Sequence, residues 1–450
     1  MSALLAGDGV ERLLLAGVAL LAGVLLLLVL RRAPRLAVAL WLAALCLAPI
    51  WAGVSVAGYY LPPATLMALV VIVAALPVPG FRVSPLDLVV VLTGVAGVAG
   101  VLVGGGAGVA VPALVTFLTY GLGGYLLGRL VVHRVRTAHL HAAAAVAFTV
   151  VAALAIVEFA LTWNPFVLIP GSGSLRETWA TLQIRGGVVR AEGAFGHSIA
   201  LGCSLAVAIP LTLAARFPLP VRLAMTTVLL LGTVVTFSRV GMLTALLGLV
   251  LSIVFLRDAI PLRVRVAVSL GVVAVVAAVA PSVQTVFEDA GTEATNSSDY
   301  RGDLYTLIPG MRIIGPASSA QRLTDGRVFY GDFRSIDSQL ILTGLTSGFL
   351  VAAAVLVALA VGIWLVLRGR ATAATIALVA QIPALASVAL ITQYATLVWF
   401  LAGVAATSQI LRRDAVPLPE PPPDPTGVEA ASEPARTPAL PLLPGRTPSR

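Results

Sequence analysis

Lysine is absent from the chain: all 29 basic residues are arginine. Charge of either sign is scarce, at 11% of 450 residues, where a soluble domain carries about 25%. With 59% hydrophobic residues and a mean hydropathy of +1.01, a soluble fold is excluded, because no soluble core hides so much apolar surface. Cysteine is nearly missing too. Cys46 and Cys203 both sit inside apolar runs, which leaves neither a disulfide framework nor a cysteine metal cluster. No G-x-x-x-x-G-K-[ST] loop is present, which argues against an ATPase. Gly104-Gly105-Gly106 is a lone glycine run that reads as a turn.

What the chain does have is long, continuous runs of Ala, Leu and Val. Membrane-barrel strands would alternate apolar and polar residues, so these runs read as helices. They fall roughly at 13–30, 36–54, 63–80, 85–103, 108–130, 139–161, 198–215, 221–236, 240–256, 265–284, 338–367, 372–390 and 393–411. A spanning helix takes about 20 residues, so the expectation is an all-α polytopic membrane protein with about 12–13 transmembrane helices. The first run is too long for a signal-peptide core and lacks a basic leader, so it reads as a retained span.

The arginines set an expected orientation. Arg31, Arg32 and Arg35, then Arg82, Arg134 and Arg136, Arg216 and Arg222, Arg257, Arg263 and Arg265, Arg368 and Arg370, and Arg412 and Arg413 mark every second loop. Cytoplasmic loops collect Arg, so the N-terminus is expected outside and the C-terminus inside. Two larger outer loops then span about 162–196 and 286–336. The net charge of +9 is thus loop charge at a membrane, with no nucleic-acid partner implied. Residues 1–413 read as one transmembrane domain. The stretch 414–450 reads as a Pro-rich, disordered cytoplasmic tail, with a partner-binding segment as the alternative.

Within the spans, charge is rare, which speaks against a buried proton relay. Asp87, at a cytoplasmic helix start, and Glu158, near an outer helix end, read as interfacial. His133, His139 and His141 lie toward the cytoplasmic side, leaving His197 as the outward histidine. The informative stretches are all external: Arg190-Ala191-Glu192-Gly193-Ala194-Phe195-Gly196-His197, the turn Phe237-Ser238-Arg239-Val240-Gly241, Tyr300-Arg301-Gly302-Asp303, and Asp337-Ser338-Gln339 with Gly348 beyond it. Arg190, Arg239 and Asp337 each stand at the outer end of a helix. Guanidinium forks bind phosphate oxygens bidentately, so such arginines suit a lipid-linked diphosphate whose chain stays in the bilayer. The plainer alternative pairs them with acids or lipid phosphate. For Asp337 the alternative to a general base is a helix cap.

In order, sidedness and spacing, these stretches resemble the O-antigen ligase and O-antigen polymerase superfamily of bacterial membrane glycosyltransferases. The resemblance covers about Arg190 to Gly348, and by span number most of the chain. It implies a glycosyltransferase C-like membrane fold in the bacterial cytoplasmic membrane, with the active site on the outer face. The implied reaction moves a glycan from an undecaprenyl-diphosphate carrier to a glycan, lipid or protein acceptor, with no metal and no cofactor. Arg190, Arg239 and Arg301 would bind the diphosphate; Asp337, or failing it His197, would be the catalytic base. Ligases usually carry His, often followed by Asn, where this chain has Asp337-Ser338, which is closer to polymerase-like members. The usual P-x-x-G-x-G stretch is also missing, with Gly315-Pro316 in part of its place. The alternative function is a polysaccharide or lipid-linked oligosaccharide transporter or flippase, which calls for repeats or broken helices at the midplane.

Overall fold

The computed structural model describes residues 9–56, 58–78, 80–105, 107–256, 261–267, 269–270, 273, 277, 299–300, 302–322 and 328–414. Gly106, Arg257, most of the expected span 265–284, the loop from 286 to 298, Arg301, Arg327 and the tail after Asp414 lie outside the described residues. The chain divides into two units, Met1–Leu411 and Arg412–Arg450. The first is a helical bundle carrying short two-stranded hairpins.

Its helices are α1 (Gly9–Arg32), α2 (Pro34–Leu47), α3 (Pro63–Ala75), α4 (Pro85–Gly105), α5 (Ala107–Thr116), α6 (Gly123–Arg134), α7 (Thr137–Leu161), α8 (Gly173–Trp179), α9 (Ser198–Ala214), α10 (Leu219–Val234), α11 (Arg239–Phe255), α12 (Gln339–Ser347), α13 (Phe349–Leu367), α14 (Ala373–Ala380), α15 (Ile382–Ser387) and α16 (Thr392–Asp414). A π-helical segment, Phe117–Leu122, joins α5 to α6. Five stretches are long and apolar enough to cross a membrane: Pro85–Val103, Ala110–Arg134, Thr137–Leu161, Phe349–Leu367 and Thr392–Arg413. This is the make-up of an all-α membrane protein. Its outer surface carries large apolar side chains such as Leu25, Leu92, Val103 and Leu367, while alanine and glycine fill much of its interior. A bilayer accepts that distribution and water does not.

Several helices are shorter than the apolar runs that contain them. The run 63–80 yields only α3, because Pro77 biases Leu76 away from helix. The run 36–54 ends in a 3-10 turn and a hairpin, Val54–Val56 with Tyr59–Leu61. The run 338–367 is broken at Gly348, whose φ of +103° favours glycine. Into that break fits the loop segment around Ile313. The N–H of Phe349 donates to the Arg312 carbonyl at 2.8 Å and that of Leu350 to the Ile313 carbonyl at 3.1 Å. The new helix start thus has its unpaired donors satisfied by the loop. A Cβ on Gly348 would lie 2.6 Å from the Ile313 carbonyl oxygen, so the position needs glycine on two counts.

At the centre is α9, buried along almost its whole length and packed by α7, α10, α11 and α14. Gly202 of α9 faces Gly241 of α11: a Cβ on Gly241 would meet the Gly202 carbonyl carbon at 3.1 Å. Further along, a Cβ on Gly248 would sit 3.6 Å from both the Ala206 carbonyl oxygen and the Pro210 ring. The matched order of these contacts makes α9 and α11 parallel, so both start at one end of the bundle. Gln393, at the start of α16, donates to the Ala194 carbonyl at 2.9 Å and so belongs to that end as well.

The opposite end holds a buried ion pair. Arg129, with no exposed surface, donates from Nε to Asp87 Oδ1 and from Nη2 to Asp87 Oδ2, both at 2.7 Å. Its remaining donors reach Thr407 Oγ1 and the Arg82 carbonyl, and Tyr125 Oη donates to Asp87 Oδ1. Asp87, in the first turn of α4, thus ties α4 to α6 and, through Arg129 and Thr407, to α16. Removing one member of such a pair leaves a buried charge unmatched, at about 3–5 kcal/mol. Asp87→Ala should therefore lower thermal stability sharply in detergent, and Asp87→Leu with Arg129→Met should recover much of it. Equal melting temperatures for the single variant and the parent would show that the pair holds nothing.

Candidate functional site

The site grows from the end at which α9 and α11 start. A two-residue turn, Gly186-Gly187, with φ of +52° and +74°, closes the hairpin Ile184–Arg185 with Val188–Val189. Both turn residues need positive φ, which is why glycines stand there. The hairpin delivers Arg190, 5% exposed, beneath the turn that follows α10. Arg190 Nε donates to the Thr236 carbonyl at 2.9 Å, and the Ala191 N–H donates to the Val235 carbonyl at 3.2 Å. The two sequence stretches around Arg190 and Arg239 are thus in direct contact.

The turn itself is bent tightly. Phe237 takes φ of +46°, an unusual conformation for a bulky residue, and its ring packs 5.7 Å from Phe159. Ser238 then caps α11, its Oγ accepting from the Gly241 N–H at 3.0 Å, and Arg239 is the first helical residue, exposed. Serine is a strong N-cap, so the helix start and the arginine's position follow from Ser238.

His197 caps α9: its Nδ1 accepts from the Ile199 N–H at 3.2 Å. The bond assigns the proton of the neutral ring to Nε2, making it a donor. Burial, then the positive charges of Arg190 and Arg185, push its pKa down to about 4, so the ring is neutral at physiological pH. To act as a base, His197 would have to give up its cap. Gln183 Oε1 ties it to the arginine, accepting from Ser198 Oγ at 2.8 Å and from Arg190 Nη1 at 3.4 Å.

Beneath them lie two carboxylates. Glu158, expected at an interface, is instead 5% exposed and accepts from the N–H groups of Glu192 and Gly193 at 3.0 and 2.8 Å and from Asn164 Nδ2 at 2.9 Å. It fixes the 3-10 turn Gly193–Phe195 from the end of α7. Glu192 is 1% exposed. Burial pushes its carboxyl up to about 8 and nearby Glu158 adds to this, against the opposing pull of the Gln183 N–H and Arg190. The buried Arg190 guanidinium and the positive ends of α9 and α11 together favour an anion at this end.

Asp337 lies further along. Its Oδ1 accepts from Ser335 Oγ at 3.0 Å, and the cap of α12 is Ser338, whose Oγ accepts from the Ile341 N–H at 3.3 Å. Capping therefore does not account for Asp337. Gln339 joins α12 to the stretch before α16: its N–H donates to the Val388 carbonyl at 3.0 Å and its Oε1 accepts from the Leu390 N–H at 2.8 Å. Through Gln393 that stretch reaches Ala194. Asp337 thus belongs to the same end as Arg190 and Arg239. Arg301 is outside the described residues, but its neighbour Tyr300 donates from Oη to the Ser335 carbonyl, two residues from Asp337.

Gln183, Glu158 and Gln393 form the supporting frame, and no sequence motif marks them; the Gly186-Gly187 pair is the available sign of the hairpin. Among the described residues no group of three His, Cys, Asp or Glu is placed to hold a metal ion. No family model matches the chain, and neither does any curated protein or solved structure.

Proposed function

We propose that this protein is a membrane glycosyltransferase of the O-antigen polymerase or ligase kind, with a glycosyltransferase C-like arrangement of about 12–13 spans. It takes a glycan from an undecaprenyl-diphosphate carrier at the outer face of the bacterial cytoplasmic membrane and passes it to a glycan, lipid or protein acceptor. The observation that carries this reading is the meeting of Arg190 with the Ser238-Arg239 turn at the paired starts of α9 and α11. The leaving group is a lipid diphosphate, and its growing negative charge needs fixed positive partners. Arg190, held by Gln183 and Thr236, and exposed Arg239 supply them; Arg301 would close from the large loop. Asp337, part-exposed and free of the capping task, takes the proton of the acceptor hydroxyl. The lipid chain stays in the bilayer while its head reaches the arginines.

The test is transfer by the purified chain in liposomes, given an undecaprenyl-diphosphate oligosaccharide and read by product size. Transfer should persist in excess chelator, since arginines rather than a divalent ion balance the diphosphate. Loss of transfer with chelator, restored by magnesium, would overturn the arginine mechanism. Passage of the lipid-linked glycan across the bilayer without any transfer would favour a flippase instead.

A further inference from the structure

A second site lies away from the arginine pair. Between α2 and α7 runs a groove of about 490 Å³. Its walls are apolar and mostly small, Ala43 and Val146 among them, and Ala39, Ala43, Leu47, Val146 and Val150 leave it open sideways. Arg35 at the start of α2 and His139 at the start of α7 line one end of it, both exposed. That end is the one opposite the paired starts of α9 and α11, because the far ends of α2 and α7 meet Gln393 and Gly193. We propose that this groove binds one acyl chain of an anionic phospholipid, with the phosphate held at Arg35 and His139.

Length and charge decide the occupant. From Arg35 to Leu47 the groove follows about 18 Å of helix, close to the ~15 Å of one leaflet's hydrocarbon. A single extended acyl chain matches that length. A free phosphate would use the Arg35 charge but leave the apolar wall bare, and a zwitterionic lipid would bring a cation of its own beside Arg35. An anionic phospholipid matches both halves at once, with Arg35 at headgroup depth. The site stands independently of glycan transfer.

The full chain in detergent tests this by native mass spectrometry and by thermal shift, with added phosphatidylglycerol or phosphatidylcholine. Phosphatidylglycerol should be retained about fivefold better, as expected for one basic residue at an anionic headgroup, and should raise the melting temperature. Arg35→Glu should abolish that preference, and Ala43→Phe, which fills an open stretch of the groove, should abolish retention of both lipids. Arg31→Glu, which does not line the groove, should change neither. Equal retention by the parent and Ala43→Phe would overturn the proposal. So would displacement of the lipid by millimolar inorganic phosphate, or a disulfide-linked dimer formed by Ala43→Cys.

Discussion

Arg239→Lys should slow glycan transfer by about a hundredfold while leaving protein level and melting temperature unchanged. The substitution keeps the positive charge and falls on the exposed first residue of α11, whose start is set by Ser238. Lys and Arg have similar helix propensities, so the fold has no reason to respond. What is lost is the planar fork that meets two phosphate oxygens together. Removing one such preorganised donor from a transition-state site typically costs about 10²–10³ in rate. Arg176→Ala provides the contrast. It lies in the same expected outer compartment, exposed, with Nη2 donating to the Val167 carbonyl at 3.0 Å, and its loss should change the rate less than about twofold. Equal tolerance of both substitutions would reduce Arg239 to a headgroup anchor.

The different placing of these arginines is legible in the amino-acid order alone, because Arg239 stands between two apolar runs and Arg176 lies in a long loop. The helical class and the arginine stretches are legible in the same way. Other features are not, and for physical reasons. Hydropathy registers burial in lipid and burial in protein alike, so the run 198–215 looks like its neighbours although α9 is the centre of the bundle. Its Ala, Gly and Ser content is the sign of close helix contact, and Gly202 against Gly241 is where that contact falls. Nothing in the run 108–130 marks Arg129, because its partner Asp87 is 42 positions away and spacing cannot reveal it. Glu158 looks interfacial for the same reason: the N–H groups it binds belong to Glu192 and Gly193. The break at Gly348 is invisible to hydropathy, since apolar residues continue on both sides and only the docking of Ile313 distinguishes it.

The largest effect is expected at Asp337. A base must be ionised and near the acceptor hydroxyl, and losing it typically costs about 10²–10⁴ in rate. Asp337→Asn keeps the size and the bond to Ser335 Oγ but removes the proton-accepting charge. Because Ser338 caps α12, neither Asn nor Ala at 337 should unwind the helix, so stability should hold for both while turnover falls about a thousandfold. Ser338→Ala should do the reverse, costing about 1 kcal/mol of stability with little change in turnover. This pairing separates chemistry from capping at adjacent positions. Asp337→His should retain part of the activity, because a neutral imidazole can accept the same proton. A fully active Asp337→Asn would remove the carboxylate from the mechanism. The base would then have to be Nδ1 of His197, which must first release the Ile199 N–H and uncap α9.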